Sequence, residues 1–265
     1  MLVSNNDSFV KMKNPYTFGV PVRGDNFFGR KAELQEILDT LENVPRGQKQ
    51  DMAILGPRRI GKSSLLYRLV DLLTPHHEFV PVYVDLQNIK PRKIHTLFYK
   101  ILTEIRAGYK QNYAQVDLPP FKSLESTTIA PDLEFFIFDE DLTTLNDFIA
   151  NEELGRVKKL FPRFLSKISL KAEKLFSNSH LPRLVLMFDE VELLEEFGGQ
   201  DMLAWFRSLI QSMPYIIFVV AGSERLYSLT QDYGSPFFNI FKIIELHPLT
   251  SQEAKNAKGK KSHTL

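Results

Sequence analysis

Cysteine is absent from this chain of 265 residues, so disulfides, thiolate metal sites and thiol nucleophiles are excluded. Because this absence suits a reducing compartment, we expect a cytoplasmic protein. Long apolar runs are missing too: the longest, such as residues 215–221, fall well short of the roughly 20 residues that a membrane-spanning helix needs. Residues 1–7 lack a basic region followed by an apolar one, so we expect neither a signal peptide nor a membrane partner.

A strong excess of charge is also missing, since 33 Lys and Arg balance 32 Asp and Glu to give a net charge of +1. This balance predicts no bulk attraction to nucleic acid, although it leaves room for a local basic patch. The six histidines show no paired spacing that would hold a metal, so we expect no zinc site. Hydrophobic residues make up 43% of the chain, which is enough for the core of one large domain.

One loop carries a recognisable chemical motif. It reads Gly56-Pro57-Arg58-Arg59-Ile60-Gly61-Lys62-Ser63-Ser64. The pattern is that of a phosphate-binding P-loop, in which glycines let successive backbone N–H groups turn toward a polyphosphate. We expect Lys62 to reach the β- and γ-phosphates and Ser63 to offer its hydroxyl to Mg²⁺. An apolar run lies before the loop and helical periodicity follows it, so the context supports nucleotide binding.

Strand and helix patterns alternate along the rest of the chain. The apolar runs that predict strands are 52–55, 79–86, 184–188, 215–221 and 241–246. Apolar positions at helical spacing separate most of them. This alternation indicates an α/β fold of the P-loop NTPase type, with a mostly parallel sheet flanked by helices.

We divide the chain into three parts. Residues 1–26 form an N-terminal arm, and residues 27–250 form the P-loop core. Within the core, residues 108–180 are longer than one crossover connection and are expected to be a variable, mostly helical insertion. Residues 251–265 hold the start of a helix, with Ser251 as its cap, and a loose tail.

An acidic pair is expected to complete the nucleotide site. Asp189 and Glu190 end the third apolar run, where a central strand would deliver them beside the phosphates. Their positions suit a Mg²⁺ ligand and a group that activates the attacking water. Asp139 and Glu140 repeat the local pattern inside the insertion. We prefer the first pair because the strand after it fits the expected topology, and we keep the second as a rival.

Other polar residues near these strands have alternative roles. Ser223 follows an apolar strand, so it is placed either to contact a γ-phosphate or the attacking water, or to cap a helix that starts at Glu224. Arg58 and Arg59 are placed to meet phosphate, to pair with an acid or to project outward. Arg225 is a weaker candidate for complementing nucleotide charge, in its own subunit or in a neighbour's.

A basic stripe lies opposite the apolar face of the predicted helix in the insertion. It consists of Arg156, Lys159, Arg163, Lys167, Lys171 and Lys174. Such a stripe is most often the solvated side of a helix. Its other interpretation is a grip on phosphate backbone or on an acidic partner.

Four segments, in this order, resemble the archaeal-type ATPases of the STAND class, which are relatives of AAA+ proteins and origin-recognition initiators. The segments are Phe28-Gly29-Arg30, the loop 56–66, Phe188-Asp189-Glu190 and Ala221-Gly222-Ser223. The resemblance implies an ATPase core that binds ATP and Mg²⁺ through the loop, with Lys62 at the phosphates.

The same resemblance assigns further roles. It implies Ser63 and Asp189 on the metal, Glu190 as the catalytic carboxylate and Ser223 as a sensor. It also implies that Phe28, Gly29 and Arg30 lie near the adenine. In that family a segment like residues 247–250 leads into a helical lid and usually a winged helix, and we expect this chain to lack both.

These expectations combine into one principal hypothesis. The chain is an ATP-binding, Mg²⁺-dependent ATPase of AAA+/STAND type, whose nucleotide state switches an interaction with an unknown protein partner or DNA, either as a monomer or as a homo-oligomer. The alternatives are a nucleotide-binding remnant without turnover, an initiator-like DNA-binding module and, less favoured, a small-molecule kinase.

Overall fold

The computed structural model describes residues 20–44, 47–76, 78–113, 155, 158–159, 161–163, 165–166, 183–251 and 253. Several sequence-based predictions fall outside these residues: most of the N-terminal arm, the acidic pair Asp139 and Glu140, four of the six cations in the basic stripe, and the tail after residue 253. The division of the chain into arm, core, insertion and tail stays a prediction.

Five strands and five longer helices alternate along the described chain. The strands are β1 (Met52–Leu55), β2 (Phe79–Asp85), β3 (Arg183–Asp189), β4 (Ile216–Gly222) and β5 (Lys242–Glu245). The helices are α1 (Lys31–Glu42), α2 (Lys62–Leu73), α3 (Ile94–Tyr113), α4 (Glu195–Ser212) and α5 (Glu224–Gln231). Short 3-10 helices, Gly24–Asn26 and Val191–Leu194, precede α1 and α4. Within these ranges no helix has the length and apolar character needed to cross a bilayer.

The strands form one sheet in the order β2-β3-β4-β1-β5, and every neighbouring pair runs parallel. The predicted α/β fold with a mostly parallel sheet is therefore confirmed. Because parallel strands end at the same edge, the loops that follow β1, β3 and β4 meet there. Strand β4 lies between the other two, with Gly222 in register with Leu55 and Val220 in register with Phe188.

Alternate residues of each strand face opposite helical layers. In β1, Met52 and Ile54 pack into the cluster formed with α1 and α2, whereas Ala53 and Leu55 pack into the cluster formed with α3, α4 and α5. All four side chains are at most 2% exposed. Both faces of the sheet are covered, which explains why its strands read as continuous apolar runs rather than as alternating ones.

The described part of the insertion is helical and packs on the helical layer that contains α3. Phe161 and Leu165 are fully buried, and the ring of Phe161 stacks on Phe98 with centroids 4.6 Å apart. Lys159 and Arg163 are exposed. The apolar and basic faces predicted for this helix therefore lie on opposite sides at these positions.

A buried acid, Asp51, connects two strands at the amino-terminal edge of the sheet, opposite the P-loop. The Asp51 carboxylate accepts a hydrogen bond from the Phe218 backbone N–H at 2.8 Å and pairs with Lys49 at 3.0 Å. Burial raises the pKa of Asp51, and the neighbouring Lys49 charge lowers it by less. This acid therefore links the entry of β1 to β4.

Candidate nucleotide-binding site

The P-loop connects β1 to α2 and is held in a fixed turn. Gly61 has a φ of 109°, in the left-handed region that favours glycine. At Gly56 the requirement is space, because a Cβ would lie 3.0 Å from Ile60 Cγ2 and 3.1 Å from the Leu246 carbonyl oxygen. Arg59 has a φ of 66°, a conformation that costs a non-glycine residue about 1 kcal/mol. The loop shape is thus imposed by its own glycines and by the chain after β5.

Lys62 supplies a buried positive charge in this loop. Its residue is 5% exposed, and its Nζ donates to the carbonyl oxygens of Gly56 at 2.9 Å and Pro57 at 3.1 Å. Among the described residues it forms no ion pair. An ammonium group has three donors, so Lys62 keeps one for an anion. Arg58 and Arg59 are exposed.

Asp189, at the end of β3, meets the first residues of α2. It is 3% exposed and accepts hydrogen bonds from the Tyr83 hydroxyl at 2.9 Å and from the Glu190 backbone N–H at 3.1 Å. Burial raises the pKa of Asp189, while the nearby Ser63 hydroxyl and the hydrogen bond from Tyr83 lower it. The two residues predicted to hold Mg²⁺ therefore lie close enough to interact, and their hydroxyl and carboxylate oxygens are the donor type that Mg²⁺ prefers.

Tyr83 is a contributor that sequence reasoning did not identify. It lies on β2, where Tyr83 and Met187 are in register, and its ring is 4.6 Å from that of Tyr67 on α2. Burial, followed by the nearby Asp189 charge, raises the pKa of Tyr83, so its hydroxyl stays protonated and acts as a donor. Nothing in a single strand's pattern shows which neighbour its polar side chain will meet.

Glu190 follows Asp189 in a strained backbone conformation. Its φ of 54° lies in the left-handed region, which is uncommon for glutamate. Burial and then the negative charge of Glu192 raise the pKa of Glu190, while Lys62 and Arg58 lower it. A half-buried carboxylate with a raised pKa is a better proton acceptor than an ordinary glutamate.

Ser223 follows β4 and stands at the start of α5, but its side chain makes no helix-capping hydrogen bond. Instead, its backbone N–H and its hydroxyl both donate to Glu192 Oε1, at 2.8 and 2.7 Å. Sequence reasoning missed Glu192, which is 8% exposed within an otherwise apolar turn after β3. An acid flanked by Val191 and Leu193, two positions after Glu190, was the signal available.

The segment Phe28-Gly29-Arg30 lies against the P-loop. Arg30 is 5% exposed, and its guanidinium donates to the Ile60 carbonyl oxygen at 3.0 Å and to Glu33 at 2.9 Å. Phe28 is half-buried. Arg30 therefore stabilises the loop, because its bond to Ile60 fixes a carbonyl in the middle of the motif.

The chain after β5 returns to this segment. Glu253 accepts hydrogen bonds from the Arg30 backbone N–H at 3.0 Å and from the Thr250 backbone N–H and hydroxyl, each at 2.9 Å. Thr250, rather than Ser251, thus forms the capping box with Glu253. Gly29, with a φ of 73°, has no room for a Cβ, which would lie 2.8 Å from Leu249 Cδ2.

The first described residues also reach α2. The Val22 backbone N–H donates to the Ser64 hydroxyl at 3.1 Å, and the Arg23 guanidinium lies 3.6 Å from the centroid of the Tyr67 ring. Arg225, in contrast, is engaged elsewhere, in a two-bond ion pair with Glu195 at 2.6 and 2.9 Å.

A glycine-lined loop with a buried lysine, next to a strand that ends in a metal-suited acid, defines the class: this is a P-loop NTPase domain. The sequence places it more closely. The chain belongs to the AAA ATPase domain family, which matches residues 26–220. That membership supports nucleotide binding by a P-loop ATPase core.

Several known proteins are similar to this chain. An uncharacterized HTH-type transcriptional regulator of Methanocaldococcus jannaschii is 24% identical over 259 residues, which cover 92% of this chain and 56% of the relative. The Walker-type ATPase PABY2304 of Pyrococcus abyssi has a TM-score of 0.58 and 20% identity, covering 94% of this chain and 62% of that one. The Orc1 protein of Aeropyrum pernix, solved in complex with DNA, has a TM-score of 0.53 and 15% identity, covering 89% and 50%.

These likenesses establish the fold. The chain spans between 50% and 62% of the length of these three relatives. The comparisons therefore establish the fold of this chain, and not the activities or partners of the full-length relatives.

Proposed function

We propose that this chain is an ATP-binding, Mg²⁺-dependent ATPase domain of AAA+/STAND type, whose nucleotide state controls an interaction with a protein partner or DNA. One observation carries the proposal: Lys62, buried and without an ion pair among the described residues, lies one residue before Ser63, whose hydroxyl is close enough to the buried Asp189 to lower the pKa of that carboxyl. A cation that keeps a free donor beside a hydroxyl–carboxylate pair suits a phosphate chain that carries a divalent metal.

In this proposal the loop residues 56–64 bind the phosphates, and Lys62 contacts the β- and γ-phosphates. The adenine lies near the segment Phe28-Gly29-Arg30, which already contacts the middle of the loop through the Arg30–Ile60 bond. Ser63 and Asp189 hold Mg²⁺, which neutralises charge on the phosphates when it is bound. The exposed Arg58 and Arg59 add positive charge at the mouth of the loop.

Hydrolysis requires a group that takes a proton from the attacking water. Glu190 has this role, because its raised pKa and its position directly after the metal-suited acid fit a general base. Ser223 orients a reacting group at the neighbouring strand end. The strained backbone of Glu190 is a feature that often accompanies a functional site.

Titration with ATP and Mg²⁺, followed by phosphate release, tests this proposal in wild-type protein, Lys62→Ala and Glu190→Gln. We expect the first variant to lose ATP binding and the second to keep binding but lose phosphate release. Equal phosphate release in all three proteins refutes the assignment. ATP binding by wild-type protein without phosphate release, with candidate partners present, favours the nucleotide-holding remnant.

DNA binding is a second candidate function, favoured by one observation: Lys159 and Arg163 are exposed one turn apart on a helix anchored by buried Phe161. The DNA in the Orc1 structure and the HTH-type name of the archaeal relative point in the same direction by analogy. The combined variant Lys159→Glu and Arg163→Glu should weaken binding to duplex DNA and reduce its salt dependence. Absent or salt-independent binding by the wild-type protein removes this candidate.

A further inference from the structure

The carboxylate of Glu192, which follows β3, reaches the end of β4, and its two oxygens have different surroundings there. Oε1 accepts both hydrogen bonds from Ser223, and Oε2 has no hydrogen-bond partner among the described residues. Oε2 lies against the backbone of Gly222, where any Cβ would collide with it. Glu192 is 8% exposed, so water does not simply replace these contacts. The glycine and the glutamate therefore fit each other as a pair.

This geometry determines where the Ser223 hydroxyl donates its hydrogen bond. A serine hydroxyl has one proton to donate, and here it points to Glu192 Oε1 at 2.7 Å. Oε1 also accepts the Ser223 backbone N–H, so it acts as an acceptor for two donors. Ser223 then presents only lone pairs to its surroundings.

The position of Ser223 gives these lone pairs a use. Gly222 is in register with Leu55, the last residue before the P-loop, so Ser223 lies at the strand edge that receives the phosphates. An ionised γ-phosphate offers acceptors only, and two acceptors cannot share a hydrogen bond. A water molecule offers two donors. Of the two contacts considered for Ser223, only the one to water matches a hydroxyl whose proton is already donated.

We propose that Glu192 is a positioning residue that commits the hydroxyl proton of Ser223, so that Ser223 orients the attacking water instead of contacting the γ-phosphate. This inference rests on the proposed ATPase function. It assigns a role to an acid that the P-loop motif does not include, and it explains why Gly222 precedes Ser223.

The test compares ATP and ADP affinities, measured by competition against a fluorescent nucleotide with Mg²⁺ present. We expect Ser223→Ala to keep the wild-type ATP/ADP affinity ratio, because the wild-type hydroxyl donates nothing to the γ-phosphate. Glu192→Ala frees the proton for the phosphate and should raise the ratio by about tenfold. Adding Ser223→Ala to it should restore the wild-type ratio. Glu192→Gln is the matched control, since its carbonyl oxygen can accept both bonds and keep the ratio unchanged.

Turnover gives a second readout. Glu192→Ala and Ser223→Ala should lower kcat by similar factors, and the double variant should lower it no further, because one residue acts through the other. The proposal is overturned if the effects of the two single substitutions on kcat multiply in the double variant. It is also overturned if the ATP/ADP affinity ratio of Ser223→Ala falls severalfold. If Glu192→Ala does not fold, the ratio measured on Ser223→Ala, which removes only the hydroxyl, still decides.

Failure of the inference differs from failure of the proposed function. Wild-type protein that binds no ATP overturns both. ATP binding without phosphate release overturns hydrolysis and, with it, the role in orienting water. A third outcome is a Glu192→Ala variant that is less stable to heat but has the wild-type kcat and the wild-type ATP/ADP affinity ratio. This result shows that Glu192 has a structural role only.

Discussion

Replacing Tyr83 with phenylalanine removes one oxygen atom from the neighbourhood of the proposed metal. The lost group is the hydroxyl that donates to Asp189 Oδ2 at 2.9 Å. The ring and its contact with Tyr67 are retained, so the change leaves the packing between β2 and α2 in place. Asp189 keeps its bond from the Glu190 backbone N–H, and the Ser63 hydroxyl stays nearby. The substitution therefore tests how tightly one side of the carboxylate is oriented.

The expected magnitude follows from the type of bond. A hydrogen bond to a buried ionised group contributes about 1.5–3 kcal/mol. Asp189 is only 3% exposed, so water replaces the lost donor poorly. Because the Glu190 backbone N–H still donates to this carboxylate, we take the lower end, which corresponds to about a tenfold loss in Mg²⁺ affinity.

The assay is a Mg²⁺ titration at fixed ATP concentration, read both as nucleotide binding and as phosphate release. Tyr83→Phe should raise the Mg²⁺ concentration at half-saturation about tenfold in both readouts, while ATP binding without metal stays at the wild-type level. Tyr99→Phe is the matched control, because Tyr99 is 49% exposed on α3. Identical Mg²⁺ curves for the two variants would refute the role of Tyr83 as a support for the metal ligand.

Three further predictions concern other parts of the fold. Burial raises the pKa of Asp51 above its unfolded value, so the free energy of unfolding should fall as pH rises from about 4 through the folded pKa. Asp51→Asn should remove this fall when both proteins are unfolded in urea across that pH range. Equal pH slopes in the two proteins would be inconsistent with this account. Gly222→Ala places a Cβ 2.6 Å from Leu226 Cβ and should cost about 1–3 kcal/mol of unfolding free energy, so an unchanged denaturation midpoint would count against the described packing. Arg30→Met removes the bond to the Ile60 carbonyl oxygen and should weaken ATP binding about tenfold, whereas wild-type affinity would show that the loop keeps its shape without it.

The sequence was sufficient to predict the fold and the elements that position the site, because both rest on local patterns. The apolar run Met52–Leu55 before the glycine loop, and the run that ends in Asp189, are strands that end at one edge of the sheet. In a parallel α/β fold this edge is where ligands bind, so a motif and a strand-end acid can be brought together without knowing the full structure. The roles assigned to those residues stay predictions.

The supporting residues depend on information that a linear pattern does not contain. Tyr83 meets Asp189 because β2 and β3 pair in one register, with Asp85 opposite Asp189. Glu192 meets Ser223 because β4 lies beside β3 and a short turn directs the acid toward it. The left-handed conformation of Glu190 is likewise set by its surroundings, since glutamate has no preference for it. Register, strand order and backbone strain arise only when the chain is folded.

The central claim is that Lys62 binds the phosphates of ATP, and calorimetric titration of ATP with Mg²⁺ into wild-type protein and Lys62→Ala tests it most directly. Lys93→Ala is the matched control, since Lys93 is exposed before α3 and belongs to no part of the proposed site. We predict saturable ATP binding in wild-type protein and in the control, and an affinity lower by more than about tenfold in Lys62→Ala. Equal ATP affinity in all three folded proteins would contradict the account.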